Sequence, residues 1–188
     1  MELYISASYK PYTEFLIALG IDKVAHSQKT YLAHLVNVYR LMEDEGCTPE
    51  LCAAGMFHSI YGTEKFQGFK LGLEQRDDVR RLIGERAELL GYLNCAMDRA
   101  TFDAAALGDG EEYEFLDRIT HEKVTMSRID FNDLARVHLF DWFEQVDRSR
   151  YGWDYRRPAY RQLARRLGPK VETLYERVFA REPRTNGN

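Results

Sequence analysis

Two histidines stand 24 residues apart, each inside an apolar stretch with helical spacing. No other feature constrains the fold of this chain as strongly. His34 lies in T-Y-L-A-H-L-V-N-V-Y-R-L-M, and His58 in L-C-A-A-G-M-F-H-S-I-Y-G-T-E. On a helix over about 27–45, His34 shares a face with Val38 and Leu41. A second helix, capped by Thr48 and opened by Pro49, is expected to reach about residue 60. There His58 shares a face with Leu51 and Ala54, so both imidazoles point inward. Such a pair has two readings: hydrogen-bonded core residues, or ligands of a metal inside a helical bundle. Spacing alone leaves both open.

The rest of the chain reads as mostly helical. A short helix over 12–19 ends at Gly20, and Gly46 stops the helix that carries His34. After a loop over 62–72, helices are expected over 74–83 and 85–96, with Gly84 between them. Residues 100–112 hold few large apolar groups and read as a mobile surface segment. Residues 117–127 read as extended. A long helix capped by Asp130 runs to about residue 146, and helices over 158–167 and 169–180 close a single domain spanning 1–182. The stretch 183–188 reads as a disordered tail.

At 188 residues and a net charge of −4, the chain can bury one proper core and carries no general nucleic-acid signal. Its charge is uneven: residues 147–184 hold eleven Arg/Lys against five Asp/Glu. That segment suits a phosphate or an acidic partner, or is an ordinary solvated face. Three cysteines without metal-type spacing, and no export signal or membrane-length apolar run, give the expectation of a cytoplasmic protein with reduced thiols.

A metal site needs more than two imidazoles. Asp141, in H-L-F-D-W-F-E-Q, shares a face with Leu134 and Val137 and is the best downstream carboxylate. Asp133 is the second candidate, although it also suits the cap of its own helix. A buried aspartate requires a partner, whether a metal, a Tyr or an Arg.

These motifs resemble the HD superfamily of metal-dependent phosphohydrolases, and within it the RelA/SpoT-type hydrolase domain. That branch has a signature like K-S-G-x-x-Y-x-x-H followed, 24 residues on, by A-x-L-H-D-x-x-E-D-T. Here H-S-Q-K-T-Y-L-A-H at 26–34 and A-A-G-M-F-H-S-I-Y-G-T at 53–63 place Ser27, Tyr31, His34 and His58 in matching positions. L-F-D-W-F-E-Q at 139–145 is similar to the family's last ligand motif. The chain also resembles uncharacterised bacterial proteins that share H-S-I-Y-G-T-E. The likeness spans about 10–146. It implies an all-α, HD-domain-like helical bundle with one short extended segment near 117–127, and a divalent metal (Fe, Mn or Zn) on His34, His58 and Asp141. It further implies contacts to a nucleotide or other small-molecule ligand from the stretch before the first histidine, here Ser27 and Lys29. Tyr31 is placed to stack on a base, and Arg148, Arg150, Arg156 and Arg157 are the candidates to meet phosphate. The chain departs from the pattern at Ser59, where the family has aspartate, and at Gly62 and Thr63, where it has an acidic pair.

Two histidines and one carboxylate still suit a catalytic divalent ion. Tyr61 and Glu64 are the remaining proton-transfer candidates, and His26 adds a nitrogen if its loop folds over the site. The expectation is a metal-dependent enzyme acting on a phosphorylated or anionic small molecule, as a hydrolase or an iron-dependent oxygenase. The alternatives are a metal-free nucleotide-binding or regulatory protein on the same scaffold, and a metal-free enzyme using His58, Tyr61 and Glu64. Neither a membrane nor a nucleic acid is expected as partner, and a homo-oligomer is open.

Overall fold

A computed structural model of the chain describes residues 9–26 and 29–183. It is mainly helical. The elements run α1 (Lys10–Ala18), β1 (Ala25–His26), β2 (Lys29–Thr30), α2 (Tyr31–Asp44), α3 (Pro49–Met56), α4 (Arg76–Ile83), α5 (Glu85–Ala96) and α6 (Arg99–Ala105). They continue with β3 (Glu112–Leu116), β4 (Lys123–Ser127), α7 (Arg128–Gln145), α8 (Arg157–Arg166) and α9 (Pro169–Phe179).

Local chemistry sets the helix starts. Thr30 Oγ1 accepts from the Ala33 amide at 3.2 Å, and Thr48 Oγ1 accepts from the Leu51 amide at 3.3 Å. The long helix α7 is capped by Ser127, whose hydroxyl accepts from the Asp130 amide at 3.2 Å and donates to Asp130 Oδ2 at 2.8 Å. Asp130 is therefore the cap's partner, and the cap itself lies three residues earlier than the sequence reading placed it.

The centre of the fold is a four-helix arrangement in which α7 packs on α2, α3 and α5. Leu35, Val38, Met42, Ala54, Leu134, Val137 and Phe140 are buried at its core. Two glycines let the helices close. A Cβ on Gly55 would stand 2.2 Å from Met42 Sδ on α2. A Cβ on Gly91 would stand 3.1 Å from the Phe57 carbonyl, so α5 crosses tightly under the end of α3.

Three expectations are corrected. Helix α3 ends at Met56, and residues 57–61 form turns, so His58 sits just beyond the helix instead of on it. The chain over 100–112 is not simply an exposed loop. Asp98 caps α6 through the Thr101 amide at 2.9 Å, and Phe102 is fully buried, stacked on Phe131 with centroids 4.8 Å apart. That single aromatic supplies the apolar anchor that the surrounding small residues conceal. The extended segment is an antiparallel hairpin, β3 with β4, in which Glu112 faces Ser127 and Leu116 faces Lys123. It begins earlier than 117–127. The outer part of the expected tail, 184–188, lies outside the described residues. Among the described residues no helix is long and apolar enough to cross a membrane.

Candidate metal centre and its cavity

His34 projects from the first turns of α2, His58 from the turn after α3, and Asp141 from the last third of α7. Their ligand atoms converge. His34 Nε2 and His58 Nε2 each stand 3.2 Å from Asp141 Oδ1 and 3.4 Å from one another. Both histidines are 1% exposed and Asp141 is 9% exposed.

The far nitrogen of each ring decides what the near one can do. His58 Nδ1 lies 2.7 Å from the Gly55 carbonyl, which can only accept, so the hydrogen bond assigns a proton to Nδ1. His34 Nδ1 lies 2.5 Å from Glu144 Oε2, and the ionised carboxylate makes the same assignment. In their neutral forms both rings therefore turn a lone pair from Nε2 toward Asp141 Oδ1. Three acceptors this close repel unless positive charge lies among them. That charge is either protons on the imidazoles or a cation.

The metal-free electrostatics agree. Burial opposes a charge on His34, but hydrogen bonds to Asp141 and Glu144 outweigh it and raise its pKa to about 9. Burial likewise opposes the charge on Asp141, yet His58 and His34 hold its carboxyl well below the usual range. Glu144 is also lowered, burial being outweighed by His34, Arg148 and Asn37. The donor set also fits a metal. Ligands about 2.0–2.1 Å from a tetrahedral ion stand about 3.3–3.4 Å apart, close to the triangle seen here. His34, His58 and Asp141 are the described group whose ligand atoms come together in this way.

Supporting contacts surround the triangle. Gln145 Nε2 donates to Asp141 Oδ1 at 2.6 Å, and Asn94 Nδ2 donates to the His58 carbonyl at 2.8 Å. Glu144 also accepts from Asn37 Nδ2 at 3.0 Å, from Lys29 Nζ at 3.5 Å and from Arg148. On the open side, His58 and Asp141 form part of the wall of a cavity of about 650 Å³. Lys65, Arg99, Arg148, Arg150, Asp147 and the rings of Trp142, Tyr155 and Tyr160 are among its other lining residues.

The other residues singled out by the sequence fall unevenly. Arg148 lines the cavity, with its guanidinium on Glu144. Lys29 reaches the same carboxylate. Tyr31 is buried; its hydroxyl is 2.8 Å from Ser59 Oγ and its ring lies 4.7 Å from that of Phe66. The serine that stands in the family's aspartate position is thus tied to Tyr31. Tyr61 is turned away: its hydroxyl donates to Glu88 Oε1 at 2.9 Å, and Glu88 also holds Arg76 and Arg80. Glu64 is exposed and pairs with Lys65 at 3.4 Å. The backbone of His26 pairs with Lys29 in the short β1–β2 ladder, and Ser27 lies outside the described residues. Asp133 is taken by Arg86 at 2.6 Å, which leaves Asp141 as the carboxylate at the triangle.

Two residues escaped the sequence reading. Glu144 stands three positions after Asp141, on the same face of α7, and that D-x-x-E spacing was the available signal. Arg99 opens α6, and its burial has no signature in sequence.

Residues 15–99 match a family model described as "Domain of unknown function (DUF6817)". The matched stretch runs from α1 to the start of α6 and holds His34, His58 and Arg99, while Asp141 and Glu144 lie beyond it. Neither the curated proteins nor the solved structures give a match.

Proposed function

We propose that this chain is a metal-dependent enzyme of HD-like fold acting on a phosphorylated or otherwise anionic small molecule, with a nucleotide among its candidates. His34, His58 and Asp141 would hold a divalent iron, manganese or zinc ion. The observation that carries this reading is the triangle of three converging acceptors, two of which, His58 and Asp141, line a cavity rich in cations. When bound, such an ion polarises a substrate oxygen and lowers the pKa of a water.

The chain's own residues have separate tasks. Glu144 holds the His34 ring by Nδ1, the Gly55 carbonyl holds that of His58, and Gln145 steadies Asp141. Arg148 and Arg150 draw an anion into the cavity. Glu64, near the cavity loop that carries Lys65, is the proton-transfer candidate left after Tyr61 is committed to Glu88. Hydrolysis and iron-dependent oxygenation both suit this ligand set.

The binding-protein reading is favoured by one observation: protons alone can complete the triangle, with His34 charged between Asp141 and Glu144. Elemental analysis of protein purified without chelator separates the two. Near-stoichiometric metal, lost in His34→Ala and His58→Ala, is the expected result. If no metal binds the wild type even after reconstitution, the metalloenzyme reading is abandoned. The binding protein then remains, and a nucleotide should raise its Tm without being consumed.

A further inference from the structure

The cations at the cavity wall differ in what they already hold. Arg148 is committed to Glu144, Arg150 lies over the Tyr151 ring, and Lys65 pairs with Glu64. Arg99 is different. It is 8% exposed, yet among the described residues no carboxylate lies within ion-pair reach of it. Its hydrogen bond goes from Nη1 to the Tyr155 hydroxyl at 2.8 Å. A guanidinium carries five N–H donors, and one phenol accepts a single one of them. The neighbouring Arg156 uses the nearby Asp103, at 2.6 Å. Asp141, Glu64 and Asp103 attract Arg99 only from a distance, without an ion pair.

An unpaired buried charge is costly to hold and persists where something compensates it. Arg99 faces the cavity, so the compensating group has room to enter. Trp142 also lines the cavity, and its indole Nε1 is buried without an acceptor among the described residues. The charge of the wall indicates the class of the missing group. Four cationic side chains line the cavity against the two carboxylates of Asp141 and Asp147. Lys65 and Arg148 are already met by Glu64 and Glu144, so the donors left over are those of Arg99, whose forked N–H groups match the oxygens of a phosphate.

We infer that Arg99 is the anchor for a phosphate group of the cavity's ligand, placed beside the triangle and separate from it. This deepens the reading of the cavity as a site for phosphorylated molecules, but it does not depend on a bound metal.

The test uses the full chain, inorganic phosphate as the probe, and both titration calorimetry and thermal melting. Arg99→Leu should weaken phosphate at least about tenfold, the expected loss for a charged hydrogen-bonding partner. The same variant should melt no lower than wild type without phosphate, because it removes an uncompensated buried charge. Arg99→Lys keeps the charge without the fork and should keep part of the phosphate binding, and the circular dichroism of Arg99→Leu should match that of wild type. His58→Ala should lose metal yet still bind phosphate, so failure of the metal reading leaves this one standing. Two results overturn the inference: phosphate binding that is equal in wild type and Arg99→Leu, or no phosphate binding by wild type at millimolar concentration. A lower melting temperature for Arg99→Leu with phosphate binding intact would make Arg99 a structural residue.

Discussion

Replacing Glu144 by glutamine tests how the triangle is held. The carboxylate serves donors on both sides: Oε2 meets His34 Nδ1 and Arg148, while Oε1 meets Asn37 and Lys29. A glutamine has one carbonyl oxygen. If that oxygen stays on His34, the amide NH2 is turned against the donors of Asn37 and Lys29. The side chain keeps its shape, but the charge on His34 loses one of its two supports. The rise of the His34 pKa from 6.5 to about 9 corresponds to about 3 kcal/mol in favour of the imidazolium. Burial works against that charge, and Asp141 and Glu144 together overcome it. If Glu144 supplies about half of the net gain, Glu144→Gln lowers the His34 pKa by about one unit. Imidazole NMR titration of the metal-free protein reads this directly, with His58→Ala used to assign the signals. In the metal-loaded protein the same change should weaken metal binding about 10–100-fold, as expected for the partner that orients a ligating histidine. An unchanged His34 titration together with unchanged metal affinity would refute the role given to Glu144.

Further outcomes concern pH and packing. Because the folded His34 pKa is raised, its contribution to the metal-free fold should be complete below about pH 6.5 and fade as pH climbs through about 9. Denaturant unfolding from pH 6 to 9.5 should show the decline in wild type and lose it in His34→Gln. His138 behaves oppositely. It is buried between Phe102 and Tyr160, neither ring nitrogen is bonded among the described residues, and burial, aided by Arg99 and Arg156, holds its pKa well below 6.5. Its neutral form therefore contributes stability above about pH 6.5 that is lost on acidification, and His138→Phe should flatten the acid limb of the stability curve. A wild-type slope retained in that variant would remove His138 as the cause. Gly91→Ala should cost about 1–3 kcal/mol, since the new methyl meets a backbone carbonyl that cannot swing aside. It should also weaken metal binding by shifting the residue before His58, and a variant with wild-type stability and metal content would contradict both effects.

Much of this arrangement was legible because it is local. Thr48 and Pro49 announce α3, Gly46 ends the helix before it, and helical periodicity aims His34 and Asp141 inward. Other parts were hidden because they depend on contacts across the chain. Helix α6 rests on one phenylalanine that stacks against α7. Tyr61 follows His58 by three positions, which on a continued helix would bring the two to neighbouring faces. The chain leaves the helix at Met56, and the turn sends the phenol to Glu88 instead. Asp133 and Asp141 look equivalent as letters eight residues apart on one helix. The face shared with Leu134 and Val137 favours Asp141, and the position of Arg86, which takes Asp133, decides between them.

The corners of the triangle come from positions 34, 58 and 141, so a cation bound there would act as a cross-link. It would close one loop of 24 residues and another of 83. Binding energy of that kind is also folding energy, because the ligands are together only when α7 is docked on α2. Stripping the ion should therefore loosen the C-terminal half of the chain before the helical hairpin of α2 and α3. Metal content would then report on whether the two ends of the domain are joined, independently of any turnover.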